Sequence, residues 1–257
     1  MISKIIRIAL KNIPRPVLIR ISYLFKLLIP FFYRGNKFED PIDGKKYRKL
    51  LPYGYKDQQR KNALAPGSLS LERHRLLWLY IKNETDFFTS KKKMLHIAPE
   101  QCFVDTFRNQ KNLDYITADI ESPLADVLMD VQNIPFDDNT FDVVFCNHVL
   151  EHVTDDGKAM LELYRILKPG GLGIFQVPQD VNMKTTYEDA TITSPEERAK
   201  HFGQYDHLRI YGIDLFDKLS SVGFNVTPYD YSINFSSEEI IRFALAKGEL
   251  LPVCTKP

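Results

Sequence analysis

Several residue types and patterns are scarce in this sequence, and each absence excludes a class of protein. The three cysteines, Cys102, Cys146 and Cys254, form no C-x-x-C pair, which excludes a disulfide framework and favours a reducing compartment. Glycine accounts for only 12 of the 257 residues, and no G-x-G-x-x-G phosphate-binding turn is present. No apolar run approaches the ~20 residues needed to span a bilayer. We therefore expect a globular cytoplasmic protein.

Charge is distributed unevenly along the chain, although its net value is only +1. Residues 1–37, termed the basic arm, contain eight lysines and arginines and no acid, so 26 basic and 33 acidic residues leave the remainder at −7. An acidic remainder predicts no nucleic-acid partner. The arm alternates apolar and basic side chains and fits peripheral contact with the inner membrane face. A helix packed on the domain is the other interpretation, and the interrupting prolines argue against a signal peptide.

Residues 126–178 have the pattern of one βαβ unit. The apolar run Val143–Cys146 suits a parallel strand covered on both faces. Apolar residues then recur at helical spacing from Met160 to Leu167, and Lys168–Gly171 should end that helix. A second apolar strand is expected over Leu172–Val177. Two buried strands around one amphipathic helix predict an α/β domain with a parallel sheet.

This region also resembles a known family. The run DVQNIPFDDNTFDVVFCNHVLEH, followed by YRILKPGG, resembles the central and late motifs of class I S-adenosylmethionine-dependent methyltransferases, in particular the type 11-like group that methylates small molecules, lipids and sugars. The resemblance covers roughly residues 92–257. It implies an α/β fold with a Rossmann-like, doubly wound seven-stranded sheet of order 3-2-1-4-5-7-6, the last strand pair being antiparallel. It also implies S-adenosyl-L-methionine as cofactor.

Three segments are expected along the chain. The basic arm, 1–37, precedes a small module plus a helix at 38–90, and the methyltransferase domain follows at 91–257 with a lid at about 179–212. In relatives we expect a zinc ribbon ahead of the domain, and DPIDG and APGS have the outline of its two knuckles without cysteines.

The positions of zinc ligands in such a ribbon are here taken by other residues: Asp40, Asp43, Ala65 and Ser68. Alanine cannot bind zinc, and a lone serine hydroxyl is a poor ligand, so we expect no metal. The module should instead be held by packing of its tyrosines and leucines: Tyr47, Leu50, Leu51, Tyr53 and Tyr55.

The first strand of the domain, Lys92 to Ala98, should open the cofactor site. The family normally has an acidic residue and a glycine-rich turn here, whereas this chain has His96-Ile97-Ala98-Pro99-Glu100. We interpret Ala98 as the small substitute that permits close backbone approach, and Glu100 as the acid that pairs with the methionine ammonium group. His96 stands where the acid is usual. A tight strand-to-helix corner without a ligand is the alternative.

Five further positions complete the expected cofactor site. Asp119 lies 22 residues after Ile97, where an acid would bind the ribose hydroxyls; a capping aspartate is the alternative. The resemblance implies adenine contacts for Asp130, Val131 and Gln132. Asn147 follows a buried strand and should face the crevice near the methionine end.

His148-Val149-Leu150-Glu151-His152 also matches H-x-x-E-H, a zinc-peptidase signature that requires a long helix. A buried strand ends one residue earlier, so we favour the methyltransferase interpretation and predict no metal.

Methyl transfer to a hydroxyl group needs a base, and histidine is the natural choice. Four histidines are available downstream, His148, His152, His201 and His207, and the catalytic candidates among them are His148, His201 and His207. The lid is expected to bind the acceptor through polar and aromatic side chains: Gln204, Asp206, Arg209 and Tyr211. A hydrogen-bonded structural turn is the alternative for this segment.

The favoured function is methyl transfer to a small molecule, with a sugar hydroxyl of a glycan or lipid-linked glycan as the suggested acceptor. A non-catalytic, cofactor-binding or scaffolding member of the fold is the alternative, because the glycine-rich turn is missing.

Overall fold

The structure is a computed structural model that describes residues 28–54, 59–123 and 125–257, together with Val17 and Ile21. Most of the basic arm, and with it the expected membrane segment, therefore lies outside the described residues. Within them, no helix combines the length and the apolar character needed to cross a membrane.

The chain forms two compact units. The hairpin unit consists of Met1–Thr85, Gln101–Thr106 and Ser232–Glu249. The sheet unit consists of Asp86–Glu100, Phe107–Tyr231 and Leu250–Pro257. Residues 101–106 and 232–249, which the sequence assigns to the methyltransferase domain, thus cluster with the N-terminal segment.

Strands and helices alternate along most of the described chain. They are β1 (Arg34–Glu39), β2 (Lys46–Tyr47), β3 (Leu51–Tyr53), β4 (Arg60–Leu64), α1 (Glu72–Glu84), β5 (Lys92–Ile97), α2 (Gln101–Arg108), β6 (Leu113–Asp119), β7 (Val127–Leu128), β8 (Phe141–Cys146), α3 (Asp156–Ile166), β9 (Leu167–Ile174), β10 (Tyr187–Glu188), α4 (Pro195–His201), β11 (Arg209–Ile210), α5 (Leu215–Ser221), β12 (Asn225–Tyr229), a 3-10 turn (Tyr231–Asn234), α6 (Ser237–Phe243) and β13 (Leu251–Thr255).

The sheet unit is built on seven strands in the order β12-β13-β9-β8-β5-β6-β7. Strand β5 pairs in parallel with both β6 and β8, whereas β13 is antiparallel to β9 and β12. Counted from β5 as the first strand, this is the order 3-2-1-4-5-7-6, so the predicted Rossmann-like fold is confirmed. The chain leaves β5 toward one side and later reaches β8 on the other, which puts the ligand-binding crevice at the carboxyl ends of these two strands.

Helix α3 covers the sheet with its apolar face. Asp155 caps its start by accepting a hydrogen bond from the Lys158 backbone N at 2.8 Å. Four apolar side chains at helical spacing are buried against the strands: Ala159, Met160, Leu163 and Ile166. The next strand begins at Leu167, not at Leu172 as expected, because Leu167 already pairs with Phe141. Lys168–Gly171 is therefore an irregularity within β9 and not a loop before it.

The hairpin unit contains two antiparallel hairpins, β1–β2 and β3–β4. One small core cluster of this unit comprises Phe38, Tyr47, Leu50 and Ala65. Two predicted core residues, Tyr47 and Leu50, are therefore buried, whereas Tyr53 is 43% exposed. Tyr55 lies outside the described residues.

Four buried polar residues of the hairpin unit, termed the Arg75 cluster, form one network: Asp40, Ser68, Ser70 and Arg75. Asp40 Oδ2 accepts hydrogen bonds from the hydroxyls of Ser68 and Ser70. The Arg75 guanidinium donates to Ser70 Oγ and to four backbone carbonyls, those of Ala63, Ser70, Phe243 and Ala244. Burial raises the pKa of Asp40 and lowers the pKa of Arg75. Two expected knuckle positions, Asp40 and Ser68, thus meet through a hydrogen bond.

Candidate active site

The turn after β5 takes a backbone conformation that normally favours glycine. Ala98 has φ = +50°, and its N–H donates to the Ala118 carbonyl at 2.8 Å. The left-handed region is costly for residues with a Cβ, and alanine is the smallest of these. Helix α2 begins at Gln101, three residues after Ala98. Ala98 therefore takes the left-handed backbone conformation that glycine usually takes, and its Cβ makes this conformation strained.

His96, Glu100 and Asn147 form a buried group at the point where β5 and β8 end. His96 is fully buried; its Nε2 pairs with Glu100 Oε2, and its Nδ1 lies 2.8 Å from the Tyr115 hydroxyl. Asn147 Nδ2 donates to Glu100 Oε1 at 3.1 Å, and Asn147 Oδ1 accepts from the Gln176 N–H. Asn147, which follows the neighbouring strand β8, thus holds one oxygen of the Glu100 carboxylate, and His96 holds the other.

Asp119, the carboxylate predicted to bind the ribose, also has local partners. Asp119 ends β6 and is buried; its Oδ1 accepts from the N–H groups of Glu121 and Ser122, both at 2.9 Å. Those contacts form a local turn and engage one carboxylate oxygen; they are not the helix cap considered as the alternative, because the next element in the described chain is strand β7. Asp119 is the last residue of β6 and Ala98 directly follows β5, so both lie at the carboxyl edge of the sheet.

The expected adenine loop is held by the side chain of Gln132. Its N–H groups donate to Asp130, and its Oε1 accepts from Thr154 Oγ1 and the Asp155 N–H, both at 3.0 Å. Asp130 is exposed, whereas Val131 is 4% exposed and packs in the main core. The loop therefore presents a carboxylate to solvent from a fixed backbone.

Two of the residues expected to bind an acceptor connect the lid to the segment after β8 and to the start of α3. Arg209 is buried and donates to the carbonyls of Leu150, Val153 and Thr154 and to Glu188. The buried Tyr211 hydroxyl donates to Asp156 at 2.8 Å, and burial raises the pKa of Tyr211. Both side chains therefore hold the lid in place through donors engaged within the protein, and their contact with an acceptor stays a prediction.

The remaining lid residues divide between surface and interior. His201 is on α4, where it contacts Tyr187 and Glu197, and no described contact joins it to His148 or His207. Gln204 donates to Asp206 at 3.0 Å. The structure therefore separates His201 from the other two predicted bases.

Four residues, termed the Glu151 cluster, meet where β8 is followed by a turn and covered by the lid: His148, Glu151, His152 and His207. His148 has φ = +55°, an uncommon conformation often found at functional sites. The rings of His152 and His207 lie 4.8 Å apart, and burial lowers the pKa of His207. Glu151 was predicted only as part of the peptidase signature, whereas His152 was also among the histidines available as a base. Helix α3 begins later, at Asp156, so the long helix of that signature is absent here.

Comparison with known proteins identifies part of the chain. Residues 89–175 match the family model described as a methyltransferase domain. The ubiquinone/menaquinone biosynthesis C-methyltransferase UbiE of Idiomarina loihiensis is 40% identical over 65 residues, which is 24% of this chain and 26% of that protein. UbiE of Haemophilus ducreyi is 42% identical over 60 residues, covering 23% of this chain and 19% of its own. The chain thus spans about a quarter or less of the length of these curated relatives.

Among solved structures, the cyclase SpnF matches 92% of this chain and 96% of its own, with 13% identity and a TM-score of 0.52. At this identity the likeness concerns the fold alone. The family match confirms the resemblance to class I S-adenosylmethionine-dependent methyltransferases, and with it the cofactor. The lid lies outside the matched residues, and the zinc-ribbon origin of residues 38–90 stays a prediction.

Proposed function

We propose that this chain, whose residues 89–175 form a class I S-adenosylmethionine-dependent methyltransferase domain, transfers a methyl group to a small-molecule acceptor. The observation that carries the proposal is the hydrogen bond from Asn147 to Glu100. It joins the ends of β5 and β8 at the switch point of the sheet, where open α/β folds bind their ligands.

The cofactor should lie across the carboxyl ends of β5, β6 and β8. Ala98 permits close approach of the backbone, and Asp119 binds the ribose hydroxyls with the carboxylate oxygen that its loop does not use. The methionine end then faces Glu100 and Asn147. The positions of these residues support each contact. Ala98 and Glu100 follow β5, whereas Asp119 ends β6 and Asn147 follows β8, the two strands that pair with β5.

The adenine ring should meet the loop of Asp130, Val131 and Gln132. Asp130 is the exposed acceptor of this loop, suited to the adenine amino group. Gln132 fixes the loop through Thr154 and Asp155.

His148 is the base that we assign to a hydroxyl acceptor. It directly follows Asn147, its side chain is part exposed, and its buried Nε2 has no hydrogen-bond partner among the described residues. His207 is buried, and His201 is on a separate surface of the lid. We expect His148→Gln to lower the rate of methyl transfer while cofactor affinity stays unchanged, because a base acts on the acceptor and not on cofactor binding.

Two acceptor classes follow from different observations. A cavity of about 560 Å³ at the lid is lined by five polar or charged residues and three apolar ones, and the polar groups suit a hydroxylated ligand such as a sugar: Thr154, Glu188, Asp189, Ala190, Ile192, Arg198, Leu208 and Arg209. The relatives' names instead point to C-methylation in ubiquinone and menaquinone synthesis, which supports a phenolic ring as the second candidate.

Calorimetric titration with S-adenosylmethionine tests the cofactor site. Asp119→Ala should weaken binding by about 100-fold, the loss expected for two charge-assisted hydrogen bonds. Asp114→Ala is the matched control, because Asp114 is an exposed aspartate of the same strand. Normal binding by Asp119→Ala would remove Asp119 from the site.

An acceptor screen tests the reaction. Sugars, lipid-linked glycans and quinols are supplied separately with the cofactor, release of S-adenosylhomocysteine is measured, and the new methyl group is assigned to oxygen or carbon by NMR. Tight cofactor binding without turnover on any acceptor class would favour the non-catalytic alternative. The fold alone is compatible with it, since SpnF is named as a cyclase.

We further propose that the basic arm contacts an anionic membrane surface. Leu28, Phe31 and Phe32, at the end of the arm, are each at least 65% exposed. Such apolar side chains beside basic residues suit the membrane interface. The chain should co-sediment with vesicles containing phosphatidylglycerol and not with pure phosphatidylcholine, and Phe31→Ser with Phe32→Ser should weaken this binding.

A further inference from the structure

The carboxylate of Glu151 is buried without the partners that such a group requires. Glu151 is 1% exposed, and neither oxygen accepts a hydrogen bond from any residue that the structure describes. The nearest donors are imidazoles: His148 Nδ1 at 3.4 Å and His152 Nε2 at 3.9 Å. No described lysine or arginine forms an ion pair with it. A buried carboxylate of this kind needs a positive charge that the described side chains do not supply.

Two of the surrounding imidazoles are oriented as metal ligands usually are. His152 Nδ1 lies 3.2 Å from the Asp206 carbonyl oxygen, and His207 Nδ1 lies 3.1 Å from the Phe202 carbonyl oxygen. A carbonyl only accepts hydrogen bonds, so each Nδ1 carries the proton and each Nε2 keeps its lone pair. In metal sites the ligating histidine donates its other N–H to a carbonyl or carboxylate in the same way.

The distances allow one ion to be shared. Potential ligand atoms of Glu151, His152 and His207 all lie within 4.8 Å of one another. A tetrahedral ion with ligand distances of about 2.1 Å separates its ligands by about 3.4 Å, so the side chains need to approach by about an ångström. The backbone already holds the two segments together, because the Leu208 N–H donates to the Glu151 carbonyl at 2.8 Å.

We propose that Glu151, His152 and His207 bind a divalent transition-metal ion of the zinc type. One carboxylate and two imidazoles suit zinc, cobalt, manganese or iron, whereas calcium and magnesium prefer oxygen ligands alone. Three protein ligands leave coordination positions open, as in metal sites that act on a bound oxygen atom.

Metal uptake by the full-length chain tests this proposal without the cofactor. The protein is stripped with a chelator and titrated with Co²⁺, and the visible d–d absorption of bound cobalt is followed, with Zn²⁺ as competitor. We expect saturation near one equivalent and loss of the absorption on addition of Zn²⁺. Glu151→Gln should weaken Co²⁺ binding by about tenfold or more, since it removes the charged ligand.

Glu197→Gln is the matched control, because Glu197 also lies 3.4 Å from a histidine but on the exposed surface of α4, and it should leave Co²⁺ binding unchanged. His152→Gln is the second variant should Glu151→Gln fail to fold, as checked by circular dichroism. No saturable uptake by the wild type, or uptake that neither variant weakens, would overturn the proposal. Normal S-adenosylmethionine binding in the same sample would then leave the proposed methyl transfer intact.

Discussion

The two buried polar clusters differ in how completely their groups are paired. In the Arg75 cluster of the hairpin unit, all five N–H groups of the guanidinium reach an acceptor, and Asp40 is bound by two hydroxyls. In the Glu151 cluster of the sheet unit, a carboxylate just as deeply buried accepts no hydrogen bond from the described residues. Buried polar groups are normally satisfied. A complete network therefore indicates structure, and an incomplete one indicates a place for a ligand.

The largest expected effect is the loss of the Arg75 network. Arg75→Met should lower the free energy of unfolding by about 3–5 kcal/mol, because Ser70 Oγ and four backbone carbonyls lose their buried donor. Urea unfolding followed by circular dichroism measures this change. Arg60→Met is the control: its ion pair with Glu72 is half exposed and should contribute at most about 1 kcal/mol. Equal effects of the two substitutions would contradict the structural role of the cluster.

Glu151→Gln should, in contrast, stabilise the metal-free protein. Removing a buried charge that lacks partners should raise the free energy of unfolding by about 1 kcal/mol, measured in urea with chelator present. With saturating Zn²⁺ the order should reverse, because the wild type binds the metal more tightly and gains more stability from it than the variant does. A strong destabilisation of metal-free protein would show that Glu151 is already paired.

Asp40→Asn should change how stability depends on pH. Burial raises the folded-state pKa of Asp40 above 3.8, so the folded protein binds the proton more tightly than the unfolded chain. The contribution of Asp40 to stability is therefore full below pH 3.8 and is lost as pH rises through the folded pKa. The asparagine variant should lack this loss, which urea midpoints from about pH 4 to 7 would reveal. An unchanged pH profile would show that Asp40 keeps an ordinary pKa.

The smallest effects concern two alanines, one in each unit, with left-handed backbone. Ala98 has φ = +50° in the sheet unit, and Ala244 has φ = +47° at the end of α6 in the hairpin unit. Glycine at either position should raise the free energy of unfolding by about 0.5–1 kcal/mol by relieving the strain. Only Ala98→Gly should alter S-adenosylmethionine affinity, as calorimetry can measure. A matching change in affinity for Ala244→Gly would contradict the proposed position of the cofactor.

Much of the sheet unit follows from local sequence pattern. The short apolar run at Val143–Cys146 and the helical spacing of α3 predict a parallel sheet, and the family motif predicts its strand order. The start of β9 was missed, because the pairing of Leu167 with Phe141 is a contact between distant segments. Likewise, polar lid residues predicted to face an acceptor, Arg209 and Tyr211, are buried by tertiary contacts that their own neighbours do not encode.

The sequence by itself determined the fold class and the strand ends where Ala98, Asp119 and Asn147 lie, because side-chain periodicity is a local property of the chain, and its resemblance to the methyltransferases implied the cofactor. Only the tertiary structure decided that His207, 55 residues after His152, lies beside Glu151. It also decided that Asp40 and Arg75 form a satisfied network. The physical reason is the same in both cases: whether a buried charge is paired depends on which groups, distant in the sequence, pack around it.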